Sequence, residues 1–190
     1  MTSATTNLPF FTRDGDSFIP TPVANGPWDP KSLHGRVIIG LPAFVIEQRH
    51  GGGDFVPARL TVDMFRLPNI MTPIEIKTKL IRDGLRLRLV EAEFISGGVA
   101  MARATCQLLR RTENPQGQVW SPPNWDAPPP ASIPPPTDPR HARIGFDVVN
   151  HHATDGIAIG ECWLYDEQGP IGTSTVAALA QRKPMTRVTR

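Results

Sequence analysis

The stretch SLHGRVIIGLPAFVIEQRHGGG, residues 32–53, decides the fold. It carries no charged residue from position 37 to position 46, so it predicts a helix that is apolar on every side. Ser32 is the expected N-cap, and the glycines at 51–53 are the expected end. Pro42 predicts a kink or a break, because proline cannot donate the helical hydrogen bond. Such a helix needs other apolar elements around it.

Later segments supply strands that can cover this helix. Alternating apolar residues predict strands over 58–67 and 74–82, and the turns RDG and SGG lead into two more. The apolar positions change parity between Leu89 and Val90, which predicts a β-bulge there. The strand after the SGG turn carries small residues on one face, where a helix can approach closely. The sequence therefore predicts an α+β domain, with one long central helix wrapped by a curved antiparallel sheet.

The second half of the chain begins with a proline-rich segment. Ten of the 21 prolines lie from residue 115 to residue 139, where backbone donors are too few for a sheet. Strand-like segments follow, and one of them repeats residues 98–110 at an offset of 72. The expected organisation is a flexible tail at 1–16, the main domain at 17–111, a connector at 112–140, strands completing or extending the sheet at 141–183, and a tail at 184–190.

The composition excludes several classes of protein. Of 190 residues, 39% are hydrophobic and 20% are charged, as in ordinary globular domains, and a net charge of +2 predicts no nucleic-acid surface. The apolar run at 37–46 is far shorter than the about 20 residues that span a bilayer. Two cysteines without a CxxC pair, and no signal-like N-terminus, predict a reduced, cytoplasmic protein. We expect no cofactor and no metal.

Several motifs together resemble a known family. GPW (26–28), LHGRVIIG (33–40), FRLP (65–68), the RDG turn and GGVAMARATCQLLRR (97–111) are similar in order and spacing to the first hotdog domain of the acyl-CoA thioesterase II-like proteins. DGIAIGECWLYDEQGPIGTSTVAAL (155–179) resembles the closing strands of that family's second hotdog. The resemblance implies a hotdog fold and hydrolysis of acyl-CoA thioesters to the free acid and CoA.

This sequence departs from the family in its catalytic elements. The family carries an Asp on its second hotdog helix, where this chain has the proline-rich connector. The family's glutamine, in a TVQ-like run, is replaced within Thr175, Val176 and Ala177. The family's threonine or serine falls in residues 149–154, where Asn150, His151 and Thr154 are the polar options. The family's usual set of catalytic residues is therefore incomplete.

Candidate catalytic residues lie in three places. The N-terminus of the helix, at His34 and Gly35, can polarise a thioester carbonyl through unpaired N–H groups and the helix dipole; alternatively, Gly35 only avoids a clash and His34 only caps a turn. Asp63 in a strand is a candidate base that faces either the helix or solvent. Asn150 and His151 are the candidates in the C-terminal strands. Candidate substrate-binding residues are Trp28, Val37, Gly40, Phe65 and Arg66.

Other chemistry is less favoured by the sequence. Adjacent His151 and His152 point to opposite faces of a strand, and with Asp155 they match no strong metal-ligand motif. Cys106 is expected to be a buried apolar filler. Asp29 and His34 have the spacing of a hotdog enoyl-CoA hydratase but lack that family's Asn-Pro.

Three functions therefore compete: an acyl-CoA thioesterase, a non-catalytic acyl or acyl-CoA-binding hotdog module, and the hydratase. The expected ligand is acyl-CoA or another acyl thioester. An open sheet edge also predicts a homo-oligomer, either a dimer or a dimer of dimers, or pairing with a different subunit that supplies the missing catalytic half.

Overall fold

The computed structural model describes residues 8–27, 29–113, 116–117, 144–166 and 168–179. The chain divides into two compact units, Met1–Pro115 (unit 1) and Gln116–Arg190 (unit 2). Most of the predicted connector and the whole C-terminal tail lie outside the described residues. Among the described residues, no helix is long and apolar enough to cross a membrane.

In its described residues, unit 1 contains one α-helix, as the sequence predicts, and a six-stranded antiparallel sheet, four strands of which were predicted. The strands run in the order β1-β2-β4-β5-β6-β3 across the sheet. The elements are β1 (Phe11–Asp14), β2 (Ser17–Pro20), a 3-10 turn (Pro22–Ala24), α1 (Gly35–His50), β3 (Phe55–Met64), β4 (Ile74–Asp83), β5 (Leu87–Ser96) and β6 (Val99–Arg110).

Helix α1 differs from the prediction at one end only. His34 is its N-cap, so the prediction of Ser32 is wrong; the Ser32 hydroxyl instead donates to the Asp29 carbonyl at 2.8 Å. Gly51 ends the helix as predicted, and its N–H donates to the Glu47 carbonyl at 2.9 Å. The helix is continuous through Pro42, so the predicted break is absent.

The sheet covers one side of α1. Val37, Ile38 and Ile46 are buried against it, and each such side chain contributes about 1.5–3 kcal/mol through burial. Ala102 and Ala104 on β6 are fully buried, as expected of a face that a helix approaches closely. The opposite side of α1 presents apolar residues to solvent: Ile39 is 38% exposed and Phe44 is 48% exposed.

The predicted bulge lies in the neighbouring strand. The register shifts in β4 between Leu80 and Arg82, opposite Val90 and Leu89 of β5. Strand β5 itself alternates regularly, so Leu87 and Leu89 lie half-buried on the face away from α1. The position of the bulge along the sheet was therefore predicted correctly, but the strand was wrong. A parity change in one strand does not reveal which of the two paired strands holds the extra residue.

The N-terminal segment is part of the fold. Strand β1 pairs with β2, and the rings of Phe11 and Phe18 meet edge to face with centroids 6.3 Å apart. Phe10 and Phe11 pack against the core. The prediction of a tail up to residue 16 is therefore wrong for the described residues from 8 onward.

Unit 2 contains a three-stranded antiparallel sheet of its own: β7 (Gly145–Thr154), β8 (Ile157–Asp166) and β9 (Gly169–Leu179). Among the described residues, these three strands pair with one another, and their expected role in completing or extending the first sheet stays a prediction. The β7–β8 turn has two residues with positive φ, Asp155 at 51° and Gly156 at 78°, as favoured in tight hairpins.

The internal repeat is real in register but has a different offset. Hairpin β5–β6 pairs Ala92 with Ala104, and hairpin β8–β9 pairs Cys162 with Ser174, 70 residues later in each strand. The bulges also correspond, because the register shifts after Phe94 in the first hairpin and after Leu164 in the second. The predicted offset of 72 is thus wrong by two residues.

Candidate functional site

Three backbone hydrogen bonds fix the N-terminus of α1 in unit 1. The amide of Gly26 donates to the Ser32 carbonyl at 2.8 Å, that of Leu33 to Pro68 at 3.0 Å, and that of His34 to Ala24 at 2.9 Å. A Cβ at Gly26 would lie 2.9 Å from the Leu33 carbonyl oxygen, so this position needs glycine. The neighbouring Trp28, predicted to bind substrate, lies outside the described residues.

The His34 ring caps the helix through one nitrogen. Its Nδ1 accepts from the amide of Arg36 at 3.1 Å. In a neutral imidazole the other nitrogen then carries the proton, so Nε2 is a hydrogen-bond donor. This geometry suits His34 to polarising an oxygen atom and not to acting as a general base.

The first turn of α1 keeps one backbone donor. The amides of Val37 and Ile38 both donate to the His34 carbonyl, at 3.0 and 3.3 Å, and the Arg36 amide is used by the cap. Within the described residues, the Gly35 N–H has no acceptor. It lies at the positive end of the helix dipole, which favours an oxygen that carries or develops negative charge.

Met64 of β3 flanks Gly35. A Cβ at Gly35 would lie 4.0 Å from the Met64 Sδ and Cε, which is ordinary van der Waals contact, so glycine is not needed here to avoid a clash with the sheet, the alternative role given for Gly35. Met64 is 50% exposed and was missed by the sequence prediction. The signal for it was the alternation of Leu60, Val62 and Met64, which places all three on the helix side of β3.

Asp63 does not reach the helix terminus. Val62 packs against the core and Met64 lies beside Gly35, so Asp63 between them points to the other face of the sheet. There it is opposite Arg103, whose guanidinium binds Glu91 at 3.0 Å and Glu93 at 3.7 Å. The carboxylate belongs to a row of alternating charges on the solvent-exposed face, away from the helix terminus, so its position does not suit a base for that site.

The other predicted substrate-binding residues of unit 1 lie in different environments. Val37 is fully packed in the core, whereas Gly40 lies on the exposed side of α1 with open space before it. The amides of Phe65 and Arg66 both donate to the Met101 carbonyl at 3.1 Å. The Arg66 guanidinium donates to Ala100 at 3.0 Å and lies 5.9 Å from the Phe65 ring. Of the predicted substrate-binding residues that the structure describes, only Phe65 offers an exposed apolar side chain, and it directly follows Met64 in the sequence.

Arg36 places a cation beside the first turn. Its guanidinium lies 5.0 Å from the centroid of the Phe10 ring. Its Nε is buried and has no hydrogen-bond partner among the described residues. A buried, unpaired donor on a cation is costly unless an anionic group satisfies it.

The C-terminal end of α1 is held by cations and a histidine. Arg88 donates to the His50 carbonyl at 2.8 Å, and His50 Nε2 lies 2.9 Å from the Thr78 hydroxyl. Burial, together with the neighbouring Arg49 and Arg88, lowers the pKa of His50. An open depression of about 460 Å³ lies here, lined by Asp16, Arg49, Glu75, Ile76, Lys77 and Thr78. These contacts satisfy helix carbonyls and indicate a structural end.

In unit 2 the two predicted catalytic residues lie on opposite faces of the sheet. Asn150 pairs with Glu161, and His151 pairs with Gly160, the preceding residue of β8. They cannot share one site on this sheet. His152 and Asp155 do not join His151 as metal ligands; no cluster of three metal-binding side chains occurs in the described part of the chain.

The two cysteines differ in environment. Cys106 is buried in the core of unit 1, as predicted, and burial together with the Glu47 carboxylate raises the pKa of its thiol. Cys162 of unit 2 is half-buried and free, with its Sγ 3.8 Å from the Ser174 carbonyl oxygen.

Comparison with solved structures supports the hotdog fold. A candidate thioesterase from Novosphingobium aromaticivorans matches 92% of this chain and 99% of its own, with a TM-score of 0.66 and 13% identity. A thioesterase from Thermus thermophilus, solved with coenzyme A and Zn, matches 50% of this chain and 77% of its own (TM-score 0.42, 17% identity). The E. coli PaaI protein of the phenylacetic acid degradation operon matches 50% and 70% (TM-score 0.44, 16% identity). No protein-family model and no curated protein matches the sequence.

Proposed function

We propose that the chain is an acyl-CoA thioesterase that binds the thioester carbonyl at the N-terminus of α1. The observation that carries the proposal is the Gly35 N–H, a donor without an acceptor among the described residues, beside the His34 ring. The Gly35 N–H and the His34 Nε2–H would donate to the carbonyl oxygen, which gains negative charge as water attacks. Donors fixed in advance in this way stabilise that charge in the transition state.

Side chains around the first turn suit the rest of an acyl-CoA. The exposed Met64 and Phe65 offer an apolar surface for the acyl group next to Gly35. Arg36 offers a cation whose buried Nε lacks a partner within the described residues, and CoA carries phosphates that could satisfy it. The likeness to a candidate thioesterase over 92% of this chain supports the fold on which this arrangement depends.

A non-catalytic acyl-CoA-binding module is the second candidate. The observation that favours it is the position of Asp63, which puts the carboxylate predicted for unit 1 on the far face of the sheet. The hydratase is less favoured, since the Asp29 carboxylate accepts from the Lys31 amide at 2.7 Å and so stabilises a turn. The homo-oligomer, the partner subunit and the cytoplasmic location stay predictions.

The test is release of CoA thiol from a panel of linear and cyclic acyl-CoAs, followed with a thiol reagent. His34→Asn keeps a side-chain acceptor for the helix N-cap but removes the Nε2–H. We expect it to lower kcat/KM by about 100-fold, the usual effect of losing one oxyanion donor. The matched control is His152→Ala, which changes an exposed histidine of β7.

Each other outcome selects a different function. Equal rates for His34→Asn and the unaltered protein would contradict the proposed role of the helix terminus. Tight binding of acyl-CoA without thiol release would identify the binding module. Loss of enoyl absorbance from an enoyl-CoA without free thiol would identify the hydratase.

A further inference from the structure

One face of the unit 2 sheet is apolar and open. This face carries Phe146 and Val148 of β7, Cys162 and Leu164 of β8, and Val176 of β9. Phe146 is 59% exposed, Val148 is 65% exposed and Val176 is 59% exposed. Exposed apolar residues grouped on one face of a strand set typically mark a binding surface.

The corresponding face of unit 1 shows what such a face normally contacts. At the offset of 70, Cys162 and Leu164 take the places of Ala92 and Phe94, both fully buried beneath α1. In the described residues of unit 2 no helix occurs. Apolar side chains of α1 fill the face in unit 1, so an apolar group of similar character suits the face in unit 2.

A thiol lies in the middle of this open face. Cys162 is on the central strand, directly between Val148 of β7 and Ser174 of β9. Its side chain is half-buried and free, and its only described hydrogen bond is the weak contact to the Ser174 carbonyl oxygen at 3.8 Å. The thiol is thus accessible from the face that the apolar residues surround.

A histidine shares the face with this thiol. His151 is opposite Gly160, and its ring Cδ2 lies 3.9 Å from the position that a Gly160 Cβ would occupy. The ring therefore lies beside Gly160, on the same face of the sheet as Cys162. Cys162 and Gly160 are successive residues on this face, so His151 and Cys162 are diagonal neighbours. The Cα atoms of such neighbours are about 7–8 Å apart, a spacing that a ring side chain can reach across.

We propose that Cys162 accepts the acyl group of an acyl thioester, with His151 as its base. This goes beyond the proposed hydrolysis at α1 and rests on it only for the class of substrate. His151 takes the proton of the Cys162 thiol, and the sulfur attacks the thioester carbonyl carbon. The bond from that carbon to the CoA sulfur breaks, and CoA leaves as a thiol with the proton returned from His151. The product is an S-acyl-Cys162, whose acyl chain lies along Phe146, Val148 and Val176.

The test combines intact-protein mass spectrometry with the thiol-release assay on the full chain. The protein is incubated with decanoyl-CoA, quenched in acid, and the acyl adduct is located by peptide mapping. Cys106 and Cys162 are the two cysteines of the chain, so the buried Cys106 serves as an internal control. We expect one decanoyl group on Cys162 and no adduct on Cys162→Ala. The rate of acylation of Cys162 should be about 100-fold lower in His151→Gln, within the usual range for losing a general base.

The outcomes separate this proposal from the first one. Steady release of thiol with no adduct on Cys162 would overturn the acceptor site and leave the hydrolysis at α1 standing. An adduct on Cys162 without steady turnover would support the acceptor and count against the hydrolysis. An adduct that forms equally fast in His151→Gln, or on Cys106 as well, would overturn the proposal as non-specific acylation. No release and no adduct would overturn both.

Discussion

The β5–β6 hairpin of unit 1 and the β8–β9 hairpin of unit 2 have the same register and the same bulge, yet the face that is fully buried in the first is only partly buried in the second. Phe94 is fully buried beneath α1, whereas its counterpart Leu164 is only half-buried. Strand pairing is therefore set by the hairpin itself, and burial is set by whether a helix covers the face. The same strand pattern makes a core in one unit and an open apolar surface in the other.

The largest effect should come from emptying the equivalent position in each hairpin. Phe94→Ala leaves a cavity in the core of unit 1 and should lower the free energy of unfolding by about 3–5 kcal/mol. Leu164→Ala removes a half-buried side chain and should cost less than about 2 kcal/mol. Urea unfolding followed by circular dichroism measures both. Equal costs would mean that the open face is covered in solution.

The two cysteines provide a second contrast. We expect iodoacetamide to label Cys162 at least about 100-fold faster than Cys106 at neutral pH, because Cys106 reacts only after local opening of the core. Burial and Glu47 also raise the pKa of the Cys106 thiol, which lowers its thiolate fraction. Peptide mapping after timed quenching gives both rates. Similar rates would show that unit 1 opens readily or that Cys162 is shielded.

Glycine substitutions should produce intermediate effects. Gly26→Ala in unit 1 forces a Cβ to 2.9 Å from the Leu33 carbonyl oxygen, and we expect a loss of about 1–3 kcal/mol as for other overpacked sites. Gly160→Ala in unit 2 meets nothing closer than 3.9 Å and should change stability by less than about 0.5 kcal/mol. Thermal unfolding of the two variants tests this. A larger loss for Gly160→Ala would contradict the open face described for unit 2.

The smallest expected effect is the pH dependence that His50 of unit 1 gives to the free energy of unfolding. The folded pKa of His50 is lowered by burial, Arg49 and Arg88, so the unfolded chain takes up this proton first as pH falls. Its contribution to stability is therefore complete above pH 6.5 and declines as pH falls from there through the folded pKa. His50→Gln should flatten this part of the stability profile. An unchanged slope between pH 7 and about pH 5 would assign it to other groups.

Local patterns predicted much of the fold. The apolar run of α1, the small residues Ala102 and Ala104, and the SGG turn each depend on neighbours within a few positions. Features set by long-range pairing were missed. The bulge belongs to β4 because of how Leu80 and Arg82 pair with another strand, and the β1–β2 hairpin is anchored by Phe11 and Phe18 in the core.

The candidate site was predicted in part for the same reason. His34 and Gly35 follow from the position of the helix, so the sequence could place them. The face of Asp63 depends on which strand residues meet the helix, and the positions of Val62 in the core and Met64 beside Gly35 settle it. Asn150 and His151 are neighbours in sequence, but the alternation of a strand places them on opposite faces. The role proposed for Cys162 depends on its register with Gly160 and His151, which the sequence alone does not show.

The most direct test of the central claim is the response of the α1 terminus to a bound thioester analogue. A methylene-for-sulfur analogue of acyl-CoA keeps the carbonyl but cannot be hydrolysed, and nuclear magnetic resonance can follow the protein during its addition. We predict saturable shifts of the Gly35 amide and the His34 Nε2–H, reduced in Arg36→Gln. Saturable binding that leaves both signals unmoved would contradict binding of the thioester carbonyl at the N-terminus of α1.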